Sequence, residues 1–287
     1  MHDVFAPARA EQDLFAPARA ELDRLPGVAG VLVRDAKGHD LFTYGDDDVF
    51  PAASVIKVPL VMALYADAAE GRIDLEERVP VGAKVGGTGM LGDLADTSDV
   101  SLRDLAMLTI ALSDNIATNR LIERIGIPRI AERLTEWGCA RTKLQRLMFD
   151  EEAKRRGLDN VATPSETVAL LERLLRGECL DRATSDAVLA ILKRCQDDAM
   201  LRRYLPRGGQ VANKTGTLEA TRNDAAIIWG PERTVVAAAF IRELRDWLAG
   251  VHALGIVGWC AGRAAGLAVP ALPFPIPALP FTGAAGA

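Results

Sequence analysis

A serine hydroxyl is inert at its free pKa and becomes a nucleophile only beside a base. In this chain Ser54 is followed three residues later by Lys57. Positions i and i+3 share one face of a helix, so hydroxyl and amine can meet if this segment is helical. Lysine can act as the base once desolvation or a second cation lowers its pKa. Two further motifs follow in order, Ser113-Asp114-Asn115 and Lys214-Thr215-Gly216, and Lys214 is the candidate second cation. A helix beginning at Ser54 would also direct its positive dipole end at negative charge developing there. Ser113-Asp114-Asn115 falls between two helical segments, where a short turn projects side chains into a cleft. An N-cap for the helix starting near Asn115 is the plain structural use, and it is compatible with a chemical one. Gly216 lies on a strand-like stretch, and a strand glycine marks close approach of another backbone or a ligand. Average residue usage yields Ser-x-x-Lys about once in a chain this long, but all three motifs in order in fewer than about one in a thousand. Other nucleophile systems fail: there is no Gly-x-Ser-x-Gly, and His2, His39 and His252 lie far from every motif.

These residues need elements to hold them. Val28 to Val33 and Asp40 to Tyr44 read as strands joined by the turn Asp35-Ala-Lys-Gly38. A long apolar helix is predicted from Ser54 to about Gly71, with Pro59 expected to kink its second turn. Further helices are predicted over Leu102 to Leu112, Asn115 to Ile125, Pro128 to Trp137, Pro164 to Arg176 and Arg182 to Lys193. Thr163-Pro164-Ser165-Glu166 is a capping box, which gives Glu166 a structural task. Strands return over Gln210 to Thr217, Asp224 to Trp229 and Thr234 to Ile241, and a final helix spans about Leu244 to Arg263. Strands, then helices, then strands and a helix imply an α+β fold, an α/β/α sandwich with an antiparallel sheet. The helical lobe, about 54–205, is inserted within the sheet lobe of a domain covering 28–263. Residues 1–27 carry a duplicated segment, Phe5 to Glu11 and Phe15 to Glu21, with helical character after Pro17. Residues 264–287 form a Pro/Ala-rich tail in which Pro270-Ala-Leu-Pro-Phe274 recurs as Pro277 to Phe281, so polyproline-like or disordered chain is expected.

The 287 residues are 49% hydrophobic and 25% charged, an ordinary globular composition with enough chain for a sizeable core. A net charge of -5 argues against a nucleic-acid or anionic-membrane partner. The four cysteines lie far apart without a CxxC pair, and three histidines give no zinc spacing, so no metal or other cofactor is expected. Scattered free thiols suit a reducing compartment. The start, Met1-His2-Asp3-Val4, shows no secretory signal, and no apolar stretch reaches the roughly 20 residues of a membrane span. A soluble, cytoplasmic monomer acting on a small molecule is the expectation.

The three motifs, and the run Ser54-Val-Ile-Lys-Val-Pro-Leu-Val-Met-Ala-Leu-Tyr leading to Glu70-Gly71-Arg72-Ile73-Asp74-Leu75, resemble the class A β-lactamase family over most of Val28 to Arg263. The resemblance implies a β-lactamase/DD-peptidase-like fold. It implies that Ser54 is acylated, that Lys57 takes or relays the proton and that Ser113 passes it to the leaving nitrogen. Asn115 would hold the substrate's side-chain amide, and Lys214 and Thr215 its carboxylate. The Ser54 and Thr217 backbone N–H groups would form the oxyanion hole, and Asp114 would be structural. Arg222 is a candidate second carboxylate anchor or a plain surface arginine. The family's Glu-x-x-Leu-Asn pattern is absent from the corresponding loop, Arg146 to Asn160. Asp150, Glu151 and Glu152 lie near the expected place and are either a solvated acidic run or the source of the deacylating base, with Glu151 the candidate. The leading expectation is therefore a serine hydrolase opening β-lactam amides through a Ser54 acyl-enzyme that empties slowly. A DD-peptidase, amidase or esterase on the same scaffold is one alternative, and a penicillin-binding sensor that stays acylated is another.

Overall fold

The computed structural model describes residues 14–207 and 210–272. The first copy of the N-terminal repeat and the second copy of the Pro/Ala repeat lie outside these residues. The main sheet contains β1 (Val28–Asp35), β2 (Asp40–Tyr44), β7 (Gln210–Leu218), β8 (Thr221–Trp229) and β9 (Thr234–Arg242). Its order is β2-β1-β9-β8-β7, antiparallel throughout. Side chains alternate faces along a strand, and β9 shows the result. Val235, Ala237, Ala239 and Ile241 enter one core, whereas Val236, Ala238 and Phe240 enter the other. With both faces covered, the strand is apolar throughout instead of alternating with polar residues.

One face is covered by α1 (Ala16–Asp23) and α9 (Trp247–Ala264), the other by α7 (Pro164–Arg176) and the helical lobe. The lobe also holds α3 (Leu102–Ala111), α4 (Asn115–Ile125), α5 (Ile127–Glu136) and α8 (Arg182–Leu192). All four pack around α2 (Lys57–Ala69), which is buried from Lys57 to Asp67. A helix apolar all round belongs in an interior, and this one forms the axis of the lobe. Its one acidic residue, Asp67, is buried against Arg129 and Arg133 of α5.

The expected element order holds, with local differences. The predicted helix from Ser54 begins as a 3-10 turn, Ala53–Ile56, and becomes α-helical at Lys57. Pro59 therefore falls in the first α-helical turn, where a missing N–H costs little, and not in the second turn. Short ladders pair β3 (Phe50–Pro51) with β6 (Val161–Ala162) and β4 (Arg78–Pro80) with β5 (Asp99–Ser101). A short helix, α6 (Glu151–Arg155), interrupts the expected loop. The capping box is half formed: the Thr163 hydroxyl accepts from the Glu166 N–H at 3.1 Å. The Glu166 carboxylate instead accepts from Arg141 N, Thr142 N and the Thr142 hydroxyl at 2.7–2.8 Å, so its task is structural by another route. The tail expectation is corrected at its near end. Ala265 is fully buried, and the Trp259 indole donates to the Pro270 carbonyl at 2.7 Å, so the chain packs back on α9. All four cysteines are free, and burial pushes the Cys139 and Cys260 thiols up to about 12. Among the described residues no helix is long and apolar enough to cross a membrane.

Candidate active site

The turn carrying Ser54 is held from three sides. The Ala52 N–H donates to the Asn160 carbonyl at 2.9 Å. The Asn223 amide, buried on β8, donates to the carbonyls of Pro51 at 2.7 Å and Ala52 at 3.2 Å. On the third side β7 runs so close that a Cβ on Gly216 would lie 2.9 Å from both the Ala53 Cβ and the Ser54 nitrogen. Only glycine lets the strand approach there without displacing the turn. Ala53 takes φ +47°, a left-handed conformation that costs a non-glycine residue about 1 kcal/mol or more. The strain is over-determined by these contacts, and Ser54 is left half-buried at the wall of a groove.

Beneath it the Lys57 side chain is wholly buried. Its amine donates to the Ser113 carbonyl at 2.9 Å, the Ser113 hydroxyl at 3.0 Å and Asn115 Oδ1 at 2.8 Å. Burial first, then the charge of Lys214, holds its pKa well below the usual lysine range, against a smaller opposing pull from Asp114. Asp114 is the cap of α4, accepting from Ala117 N at 2.9 Å, and it also accepts from Met90 N and Leu91 N at 2.8 Å. Ser113, at φ +55°, is turned back toward Lys57 while Thr88 donates to its carbonyl at 2.7 Å. The Asn115 Nδ2 donates to the Gly86 carbonyl at 2.9 Å. One half of its amide thus holds the lysine and the other the 86–90 loop.

Two adjoining cavities share Thr88. One, of about 160 Å³, is lined by Ser54, Asn115, Met148, Phe149, Glu151, Thr217 and neighbours. The other, of about 300 Å³, is lined by Ser113, Lys214, Thr215, Cys195 and Asp197 among others. Lys214 is 1% exposed, and burial lowers its pKa. Its amine donates to the Thr215 carbonyl at 2.8 Å, and the Thr215 hydroxyl donates to Asp197 at 2.7 Å. Arg222 stands on β8 directly opposite Thr217 and lines neither cavity. Its guanidinium donates to the carbonyls of Leu218 at 2.6 Å and Thr221 at 2.7 Å.

The loop 146–160 is closed at its neck by the Arg146–Asp159 ion pair at 2.8 Å and by Asn160, whose amide bonds the backbone of Gln145 and Arg146. Asn119 of α4 pins Met148, accepting from its N–H at 2.7 Å and donating to its carbonyl at 3.1 Å. Met148 thereby faces the Ser54 cavity. Asp150 caps α6 through the Ala153 N–H, and Glu152 is exposed. Glu151 does line the cavity, exposed at the start of α6. Reading the sequence did not single out Asn223, Asn160, Asn119, Thr88 or Asp197. Asn223 and Asp224 carried a signal, since both are polar residues leading an apolar strand buried on both faces.

A family model described as the Beta-lactamase enzyme family matches residues 14–259. The chain belongs to the β-lactamase enzyme family. Beta-lactamase 3 of Bacillus cereus is 28% identical over 225 residues, covering 74% of this chain and 68% of the relative. A β-lactamase crystal structure from Sphaerobacter thermophilus superposes with a TM-score of 0.81 at 31% identity, covering 88% of this chain and 97% of that one. A PBP-A variant, solved as an acyl-enzyme complex with penicillin G, superposes with a TM-score of 0.79 at 27% identity over 88% of this chain and 96% of that one. Membership in this β-lactamase family makes the chain a serine-type hydrolase with the α+β fold expected from its element order.

Proposed function

We propose that the chain opens β-lactam amides through an acyl-enzyme on Ser54, with acylation fully equipped and deacylation slow. The observation that carries this reading is the buried Lys57 amine, bonded to Ser113 and Asn115 beside Lys214. A neutral amine has two N–H groups and one lone pair. The N–H groups suffice for the Ser113 carbonyl and Asn115 Oδ1, which can only accept, and the lone pair is left for a proton. Lys57 takes the Ser54 proton as Oγ bonds to the lactam carbonyl carbon. The oxyanion that forms is held by the N–H groups of Ser54 and Thr217, a contribution of several kcal/mol. The C–N bond then breaks, and Ser113 hands the proton to the departing nitrogen. Asn115 Nδ2 takes the substrate's side-chain amide, and Lys214 and Thr215 its carboxylate, with Arg222 a second anchor only once its guanidinium leaves the Leu218 and Thr221 carbonyls. For Thr215 to donate to that carboxylate its hydroxyl must turn from Asp197.

The slow step follows from the opposite wall. The acidic side chains lining the Ser54 cavity are Glu151 and Asp159. Asp159 is committed to Arg146, so Glu151 is the carboxylate available to hold a hydrolytic water. It stands exposed on the first turn of a five-residue helix, and a base needs firm placement to work. Incubation with benzylpenicillin, followed by intact mass, tests the reading. A single adduct that persists for minutes, absent in Ser54→Ala, is expected; no adduct in the wild-type protein overturns it. The absent Glu-x-x-Leu-Asn pattern, with apolar Met148 on that wall, favours one further reading, a DD-peptidase, amidase or esterase on the same scaffold whose acyl group is released to water more readily than a β-lactam's. Faster release from D-Ala-D-Ala peptides or small esters than from β-lactams would select it.

A further inference from the structure

The cavity beside Ser54 has one wall that the acylation chemistry does not use. Phe149 adopts φ +61°, a conformation unfavourable for an aromatic residue and kept only where surroundings enforce it. Its ring packs against the glycine pair Gly86–Gly87. A Cβ on Gly86 would approach the ring to 3.3 Å, and one on Gly87 would fall 2.7 Å from the ring and 2.6 Å from Asn115 Nδ2. Two glycines thus open the space that the ring fills, and Gly87 adjoins both the ring and the amide proposed to hold the substrate. The neighbouring backbone fixes the arrangement, because Asn119 pins Met148 and the Glu151 N–H donates to the Phe149 carbonyl at 3.0 Å.

The ring is nonetheless 54% exposed. Leu218 at the end of β7, 38% exposed, and Met148 line the same cavity. Apolar surface left open in the lining of a cavity becomes favourable only when a ligand covers it.

We propose that Phe149 is the specificity-determining residue of this enzyme, selecting acyl donors whose side chain ends in a flat aromatic group that stacks on its ring in the cavity it shares with Leu218. The proposal rests on the reading of Ser54 as the acylated residue. Strained backbone and glycine-dependent seating hold the ring ready before substrate arrives, so little ordering cost is left for binding.

The test compares second-order acylation rates, by intact mass, for benzylpenicillin and 6-aminopenicillanic acid. The two share the bicyclic nucleus, and only the first carries an aromatic acyl side chain. Phe149→Gly removes the ring while favouring the left-handed backbone, and Phe149→Tyr restores a ring. Phe149→Gly is expected to slow acylation by benzylpenicillin about tenfold or more, and by 6-aminopenicillanic acid less than about twofold. Phe149→Tyr should recover the benzylpenicillin rate. Equal losses on both compounds, or no loss on either, overturn the proposal while leaving the Ser54 chemistry standing. Failure of the wild-type protein to acylate with either compound overturns the reading of Ser54 and this proposal with it.

Discussion

The two walls that face each other across Ser54 are built in different ways. On the acylation side Lys57, Asp114, Asn115, Lys214 and Thr215 are all buried and committed. Lys57 holds three oxygens, Asp114 holds three backbone N–H groups, and Lys214 and Thr215 are tied to a carbonyl and to Asp197. On the 146–160 side the side chains of Met148, Phe149 and the exposed Glu151 line the cavity with no polar partner among the described residues fixing them there, while Arg146, Asp159 and Asn160, which also line it, are spent on closing the neck of the loop. Preorganised dipoles lower a barrier because nothing has to reorient at the moment of reaction. The first wall has that property and the second lacks it. Two half-reactions of one cycle can therefore differ widely in rate within a single fold.

The strongest challenge to this contrast is Lys57→Met, which leaves Ser54 and the oxyanion hole intact but removes the base. Acylation measured by mass should fall by about 10²–10⁴. A loss under tenfold would mean that another group activates Ser54. The pH profile carries the same information. Burial and Lys214 hold Lys57 well below the usual lysine range, which widens the span over which the neutral amine can serve as base. Acylation should decline only as acid protonates it, with the midpoint of that limb far below 10.5.

Met148→Glu sharpens the contrast from the other wall. A carboxylate on a backbone pinned by Asn119 should empty the adduct at least about tenfold faster, as firm placement of a general base predicts. Glu151→Gln should slow emptying if that exposed residue holds the water, and an unchanged lifetime would remove Glu151 from the reaction. Arg222→Ala is expected to act on binding alone. It should raise KM about tenfold for a carboxylate-bearing substrate with kcat preserved, the loss typical of one charge-assisted contact.

The smallest effect concerns Asp224, buried behind Lys214, where desolvation raises its carboxyl to about 7 from 3.8. Between those values the unfolded chain releases a proton that the folded chain keeps. This group's contribution to stability is thus complete below about pH 4 and lost as pH climbs through 7. Asp224→Asn should flatten the decline in Tm between pH 5 and pH 8 by about 2–4 °C. A wild-type slope in the variant would show that the carboxyl titrates normally.

Much of the acylation wall was legible because its parts are local. Ser54 and Lys57 share a turn, Asp114 and Asn115 open a helix whose bounds follow from its pattern, and Gly216 declares a close approach by interrupting a strand. What escaped notice is tertiary. Asn223 looks like an ordinary strand polar residue until β8 passes beneath the Ser54 turn, and Asn119 is one polar position on an amphipathic helix until the loop descends on it. Phe149 gave no periodic signal, since its conformation is dictated by two glycines more than sixty residues earlier. Glu166 was legible as a structural acid, but its partners were not, because Arg141 and Thr142 reach it from a different segment.

The Asn223 bonds to Pro51 and Ala52 have a consequence for how the molecule is made. β1 must pair with β9, and β8 must settle under the Ser54 turn, after the entire helical lobe has been threaded between them. Chains dominated by such distant pairings collapse quickly but reach the native state slowly. The Ser54 turn thus depends on contacts of long sequence separation, and its completion is expected late in folding. A refolding sample should regain helical circular dichroism well before it regains the ability to be acylated, and the acylatable fraction would count only finished molecules.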